Sequence, residues 1–236
     1  MTLSRGKVNA FNEDMVEQIH SNLEKLENDE KVKAVILTGR GKFFSFGFDI
    51  PEFLSYSKDS FIGYLTKFAN LYTYLFIYPK PTVVALNGHA IAGGAMLSLA
   101  CDHRIMVGGK AKISLNEITF GASVFAGCVE MLKLATGFNN AQKILYSGAM
   151  FTAEEARQLG FIDQVSSDTQ LLDDAGKIAL GLAGKDQTAF KSIKGLLRNP
   201  ISEKMMERER ASVLEFADIW YTESTWSNLQ GIKIHT

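Results

Sequence analysis

Apolar positions recur along this chain at two spacings, and their alternation lays out its elements. After Asn12, the residues Met15, Val16, Ile19, Leu23 and Leu26 mark one helical face, with Glu13 and Asp14 in the first turn. Asn12 is suited to cap that helix because its side chain can accept from an orphan amide. The apolar run through Ala34, Val35, Ile36 and Leu37 then reads as a strand that ends at Gly39. Residues 59–78 return to helical spacing, with Phe61, Leu65, Phe68, Leu75 and Phe76 as buried candidates, and Pro79 and Pro81 end the helix. Thr82-Val83-Val84-Ala85-Leu86 is a second buried strand. A turn of small residues follows, and then Ala95 to Ala100 form a helix that is apolar nearly all round and therefore buried.

The second half continues the mixture. Short strands are expected at 104–107 and 112–115, and helices at 124–136 and 141–146. Thr152-Ala153-Glu154-Glu155 is a capping box and Gly160 the matching stop, before a short strand at 161–165. From Gln170 the pattern is helical to near the end, with Pro200 separating two segments. This change from α/β to all-α places a boundary near residue 166, dividing the chain into 1–165 and 166–236. The two strands that lead into glycine-bearing loops at Gly39 and Gly88 echo one another. Two such units side by side would aim two loops at one site.

Bulk composition narrows the class. The 236 residues are 46% hydrophobic and 22% charged, which is ordinary for a globular protein with a sizeable core. The formal net charge of -1 gives no broad attraction to nucleic acid or to an anionic membrane. No apolar run approaches the roughly 18 residues of a membrane span, and no signal peptide is evident. Cys101 and Cys128 lie in apolar surroundings and read as buried free thiols rather than a disulfide, which agrees with a reducing compartment.

Candidate chemistry gathers at three places. Gly93 and Gly94 stand where a buried helix begins, so orphan amides and the positive end of the helix dipole could hold a partly negative oxygen. The alternative is a tight turn with no ligand. The loop at 39–50 carries three glycines and four phenylalanines, an odd load for a solvated turn, so it either lines a ligand or is packed down. An amide near Gly47-Phe48 and one at Gly93, converging on one oxygen, would form an oxyanion hole. Glu117 follows a short strand among apolar residues, where a raised pKa would suit a proton shuttle, although a cap or a salt bridge would also use a glutamate there. Ser98, His89, His103 and Asp102 do not make a credible hydrolytic set, because Ser98 sits in an apparently buried helix. His20 and His235 read as solvated. No His, Cys or Asp cluster has metal-ligand spacing, and Gly39-Arg40-Gly41-Lys42 matches neither nucleotide-binding fingerprint.

Several motifs occur together in a fixed order: Gly47-Phe48-Asp49-Ile50, then Asn87-Gly88 with Gly93-Gly94, then Cys101-Asp102 with Arg104-Ile105, then Asn116-Glu117 with Gly121. Ala141-Gln142 with Tyr146-Ser147-Gly148 and Ala153-Glu154-Glu155-Ala156 with Leu159-Gly160 and Asp163 follow. This set, from about Val8 to Val165, resembles the crotonase superfamily of enoyl-CoA hydratases and isomerases. The resemblance implies an α/β fold, a crotonase/ClpP-like spiral of ββα units with a C-terminal α-helical trimerisation region. It implies an acyl-CoA thioester substrate, with Phe48 and Gly93 supplying the oxyanion-hole amides and Phe46, Gly47, Asp49, Ile50 and Asn116 binding substrate. No cofactor is implied beyond the coenzyme A of the substrate. A homotrimer or dimer of trimers is expected, in a bacterial cytoplasm or in a mitochondrion or peroxisome with the targeting segment absent. Lys7, Arg40 and Lys42 are either partners for coenzyme A phosphates or a solvated face.

Departures from the family pattern bear on the reaction. Hydratases of the family carry a glutamate three residues after the oxyanion glycine, and here that residue is Met96. The second family glutamate falls at Glu117. A single acid/base resembles the Δ3,Δ2-enoyl-CoA isomerases, while hydration, hydrolysis or decarboxylation on the same fold, or non-catalytic acyl-CoA binding, are the alternatives. The first strand of the family is expected to be largely missing before Met1, and relatives usually continue beyond the position of Thr236.

Overall fold

Asn12 does cap a helix, α1 (Glu13–Asn28), and its side chain accepts from the Met15 amide at 3.1 Å. The computed structural model describes residues 1–232. Among them β1 (Thr2–Leu3), β2 (Val35–Gly39), β4 (Thr82–Leu86), β6 (His103–Val107) and β8 (Gln164–Ser166) form one parallel sheet in that order. A second parallel sheet orders β3 (Phe43–Ser45), β5 (His89–Ile91) and β7 (Ile113–Ser114).

The connectivity repeats a ββα unit. β2 and β3 lead into α2 (Ile50–Phe53) and α3 (Lys58–Phe76), and β4 and β5 lead into α4 (Gly93–Leu99). β6 and β7 lead into a 3-10 turn (Glu117–Phe120) and α5 (Ala126–Ser147). After α6 (Ala153–Gln158) and β8, the chain is helical: α7 (Leu171–Ala183), α8 (Gln187–Trp220) and α9 (Glu223–Gln230). The α/β spiral with a helical C-terminal region is the expected fold. The echo at Gly39 and Gly88 is real, since β2 and β4 pair directly, with Val35 opposite Thr82. Asn87 ties the two units by accepting from the Gly39 amide at 2.7 Å and donating to the Gly41 carbonyl at 2.9 Å.

Burial follows the hydrophobic pattern. Every residue of β4 and of α4 is buried, and so are Phe61, Tyr64, Leu65, Phe68, Tyr72 and Phe76 of α3. Cys101 and Cys128 are buried free thiols. No described helix is long and apolar enough to cross a membrane.

Several local expectations are corrected. The loop at 39–50 contains strand β3, and the turn after β4 contains β5. Each has only three residues, and each is held by parallel pairing to a segment far along the chain, which local spacing does not reveal. β1 has only two residues, Thr2 and Leu3, which pair with Thr38 and Gly39 of β2. The strand expected at 161–165 shifts to Gln164–Ser166, because the Phe161 and Ile162 amides are taken by the Ala156 carbonyl. The two helices expected at 124–136 and 141–146 are, by contrast, both present, as the two halves of α5 on either side of the non-helical Gly137, whose φ is 73°. His20 is half-buried against the Tyr74 ring at 4.8 Å, and His235 lies outside the described residues.

Pro200 does not separate two helices but lies within α8. A proline removes one helical hydrogen bond and clashes with the preceding turn. Anchors on both sides hold the helix through it. Before it, Lys194 and Arg198 pair with Asp102 at 2.8 and 3.1 Å, and Arg198 also donates to the Phe76 and Ala100 carbonyls. After it, Met205 is buried, Glu209 accepts from the Gly127 amide at 2.7 Å, and Ser212 accepts from the Ala126 amide at 2.9 Å. α8 thus caps the start of α5 from outside, supplying acceptors for orphan amides that no local side chain serves.

Candidate active site

The backbone on either side of Phe48 is gripped by one residue. The Phe11 amide donates to the Gly47 carbonyl at 2.7 Å, and the Asp49 amide donates to the Phe11 carbonyl at 3.0 Å. The Phe48 amide between them has no acceptor among the described residues. Gly47 sits at φ 95°, a conformation that favours glycine, and a Cβ there would stand 2.9 Å from the Ile91 carbonyl oxygen and 3.0 Å from the Gly93 nitrogen.

The second loop is fixed in the same manner. Ala92 has φ 50° and ψ -118°, costly for a residue with a side chain, and strain of this kind collects at functional positions. Its amide donates to the Ser114 carbonyl at 2.8 Å, and its carbonyl accepts from Met96 at 2.9 Å. Gly93 then opens α4, and its amide has no acceptor among the described residues. A Cβ on Gly93 would lie 3.0 Å from the Phe48 ring, so the two loops touch. Phe48 and Gly93 both line one cavity of about 310 Å³.

Glu117 lines the same cavity from the 3-10 turn after β7. It is 3% exposed, and neither carboxylate oxygen has a hydrogen-bond partner. Burial pushes its pKa up to about 8, and its own amide offsets this weakly without making a hydrogen bond to either oxygen. A buried carboxylate left unpaired is expensive, and such groups concentrate where chemistry uses them. Asn116 also lines the cavity, with its Oδ1 buried and unpartnered. The turn is held by the Thr119 hydroxyl, which donates to the Asn116 carbonyl at 2.7 Å, and by the Ala122 amide on the Glu117 carbonyl at 3.0 Å.

The structure brings Phe46, Phe48, Ile50, Gly93, Asn116 and Glu117 together around the cavity. Gly47 shapes the loop without lining it. Asp49 does not line it either: its carboxylate pairs with Arg5 at 2.6 Å and accepts from the Glu52 amide at 3.3 Å, capping α2. The motif residue therefore secures the loop from behind. Lys7, Arg40 and Lys42 are exposed and in no ion pair among the described residues. Met96 is fully buried and does not line the cavity, and the Ser98 hydroxyl is spent on the Ala95 carbonyl at 2.7 Å.

Sequence reasoning missed the far wall. Phe216 and Trp220 of α8 line the cavity with Phe120. Their spacing of four residues is a helical signal of burial, but that this face meets the cavity depends on the anchors of α8 at Asp102 and Gly127. The aromatic residues of α3, which could have formed an acyl tunnel, are core and do not line the cavity.

A family model described as Enoyl-CoA hydratase/isomerase matches residues 1–230. The human mitochondrial enoyl-CoA delta isomerase 1 is 30% identical over 233 residues, 98% of this chain and 77% of the human protein. The 2,3-dehydroadipyl-CoA hydratase of Escherichia coli is 31% identical over 199 residues, 84% of this chain and 77% of that one. The crystal structure of human mitochondrial delta3-delta2-enoyl-CoA isomerase superposes with a TM-score of 0.91 at 28% identity, covering 96% of this chain and 88% of the human one.

Proposed function

We propose that this chain, which belongs to the enoyl-CoA hydratase/isomerase family, moves the double bond of a 3-enoyl-CoA to the trans-2 position. The observation that carries this reading is the solitary carboxylate. Glu117 is the one ionisable residue among the described residues lining the cavity, and burial has raised its pKa to about 8.

In the proposed reaction the thioester carbonyl oxygen accepts from the Phe48 and Gly93 amides. The Glu117 carboxylate takes a proton from C2. The electron pair of that C–H bond forms the C1–C2 double bond of a dienolate, and negative charge collects on the thioester oxygen between the two amides. This is the point at which fixed donors contribute most, because they need no reorganisation when the charge arrives. The protonated Glu117 then returns the proton to C4. The C3–C4 double bond supplies that electron pair, the enolate collapses, and the new double bond lies between C2 and C3. One group that is alternately base and acid suffices, and a pKa near the working pH suits both halves. Hydration would also have to place and activate a water molecule. Family hydratases share that work between two carboxylates, and Met96 stands where the other would be.

Coenzyme A enters only as part of the substrate, with Lys7, Arg40 and Lys42 as candidate partners for its phosphates. The expected homotrimer or dimer of trimers belongs to the same proposal and is read from the mass in solution. Hydration is the second reading, favoured by the similarity to the E. coli hydratase. Incubation with 3-hexenoyl-CoA and, separately, with crotonyl-CoA decides between them. The isomerase reading requires trans-2-hexenoyl-CoA from the first. Rapid hydration of crotonyl-CoA with no isomerisation overturns it.

A further inference from the structure

One residue of the cavity wall, Trp220, carries a donor that proton transfer does not use. Trp220 ends α8, is 1% exposed and lines the cavity. Its indole Nε1 is buried and has no hydrogen-bond partner among the described residues. The rings packed on it are Phe61 at 4.7 Å and Phe216 at 5.7 Å between centroids, and neither offers an acceptor. Phe216 also approaches Phe48, at 6.4 Å, so Trp220 lies one helical turn beyond a ring that meets the oxyanion-hole loop. A buried tryptophan N–H ordinarily finds a partner, and an N–H left unmade is a standing penalty that a ligand acceptor can relieve.

The charge of the acceptor is constrained as well. Among the described residues no lysine or arginine lines the cavity, and Glu117 is the one ionisable group there. A carboxylate on the acyl chain would enter an apolar site with no countercharge among the described residues, beside a group of the same sign. An uncharged oxygen carries no such cost. The volume of about 310 Å³ is room for roughly ten water-sized groups, so a medium-length chain reaches the far wall.

We infer that Trp220 selects acyl chains bearing an uncharged oxygen, a hydroxyl or a ketone, by donating its indole N–H to that oxygen. This rests on the acyl-CoA reading above and names the substrate class within it. A plain alkyl chain fills the same space and leaves the N–H unpaired. A site built to hydrogen-bond a substrate group rejects the analogue that lacks it more strongly than an apolar wall rejects a change of shape.

The test is a binding comparison with saturated thioesters, which cannot react by isomerisation. Hexanoyl-CoA is titrated by calorimetry against its 4-, 5- and 6-hydroxy analogues, 5-oxohexanoyl-CoA and adipyl-CoA. At least one hydroxy or keto analogue should bind about tenfold more tightly than hexanoyl-CoA, and Trp220→Phe should bring that ratio to within about twofold of one. Equal affinity of all the uncharged analogues for the wild-type protein overturns the proposal. So does a preference that survives in Trp220→Phe, and tightest binding of adipyl-CoA overturns the choice of an uncharged group. Should the variant fail to fold, the wild-type series still decides: tighter binding of the keto analogue, an acceptor only, supports the proposal, and a preference confined to hydroxy analogues, which can donate to the unpartnered Asn116 Oδ1, overturns it. A preference found in a protein that does not isomerise 3-hexenoyl-CoA separates this inference from the reaction proposed above, whereas failure to bind any thioester removes both.

Discussion

A side chain on Gly47 would reach to 3.0 Å from the Gly93 amide nitrogen, so the loops of two successive ββα units are in contact at the proposed oxyanion hole. The spacing between the two amides is thus set by glycine on one side and by the start of α4 on the other. Gly47→Ala must both adopt a φ of 95° and push against the Ile91 carbonyl. Displacing one oxyanion donor costs about 100- to 1000-fold in turnover. A fall in kcat of about 100-fold or more with 3-hexenoyl-CoA is expected, and activity within threefold of wild type would remove these amides from the reaction.

Glu117→Ala deletes the proposed acid and base together. General acid–base groups contribute about 100- to 10,000-fold, so kcat should fall by at least 100-fold. Affinity for hexanoyl-CoA should stay within a few fold, since the proposed site holds the thioester by backbone amides. Unchanged turnover would eliminate the role assigned to this residue.

Because Glu117 titrates near pH 8 in the folded chain, kcat/KM for the free enzyme should rise with pH and level off above about 8. Stability carries the opposite sign. The folded carboxyl holds its proton up to about pH 8 while the unfolded one loses it near pH 4.5, so its burial destabilises increasingly across that window. Glu117→Gln should therefore match wild type in unfolding free energy near pH 4 and exceed it progressively up to pH 8, by a few kcal/mol, with no further gain above, as denaturant titrations at each pH would read. A pH-independent difference between the two would mean that the carboxyl is solvated.

Asp49→Asn breaks the 2.6 Å pair with Arg5 behind the first loop. Arg5 is partly exposed, so the loss is smaller than for a fully buried pair, about 2 kcal/mol. Turnover should drop with it, through misplacement of the Phe48 amide, and thioester affinity should drop less. Melting curves with paired kcat and KM values check this; an unaltered kcat with lowered stability would confine Asp49 to a purely structural part.

Asp102→Ala leaves Lys194 buried without its partner and frees Arg198. Removing one member of a buried pair costs about 3–5 kcal/mol, or about 10 °C in melting temperature for a chain of this size. α8 should loosen first, which hydrogen exchange across Gln187–Trp220 would read as faster exchange than in β4.

What local order could specify was legible before any coordinates. Asn12, Thr152 and Glu155 act on amides within three residues, so their caps could be read directly. The apolar runs at β2 and β4 gave strands because burial on both faces leaves no alternation. The ordered motifs placed Phe48, Gly93 and Glu117 in one family pattern. Pairing and long-range anchoring were not legible. β3 and β5 are too short to announce themselves and exist through hydrogen bonds to each other and to β7. Pro200 should have ended a helix, and Asp102, about a hundred residues earlier, helps prevent it. Asp49 reads as a ligand residue in the motif, and only the fold gives its carboxylate to Arg5. The far wall of the cavity, with Phe216 and Trp220, was decided by where α8 is tied down. The sequence by itself determined the elements, the buried stripes and the chemical groups, since these depend on neighbours along the chain. Tertiary structure alone decided which groups face one another and which water reaches, because those depend on contacts between residues with no proximity in sequence.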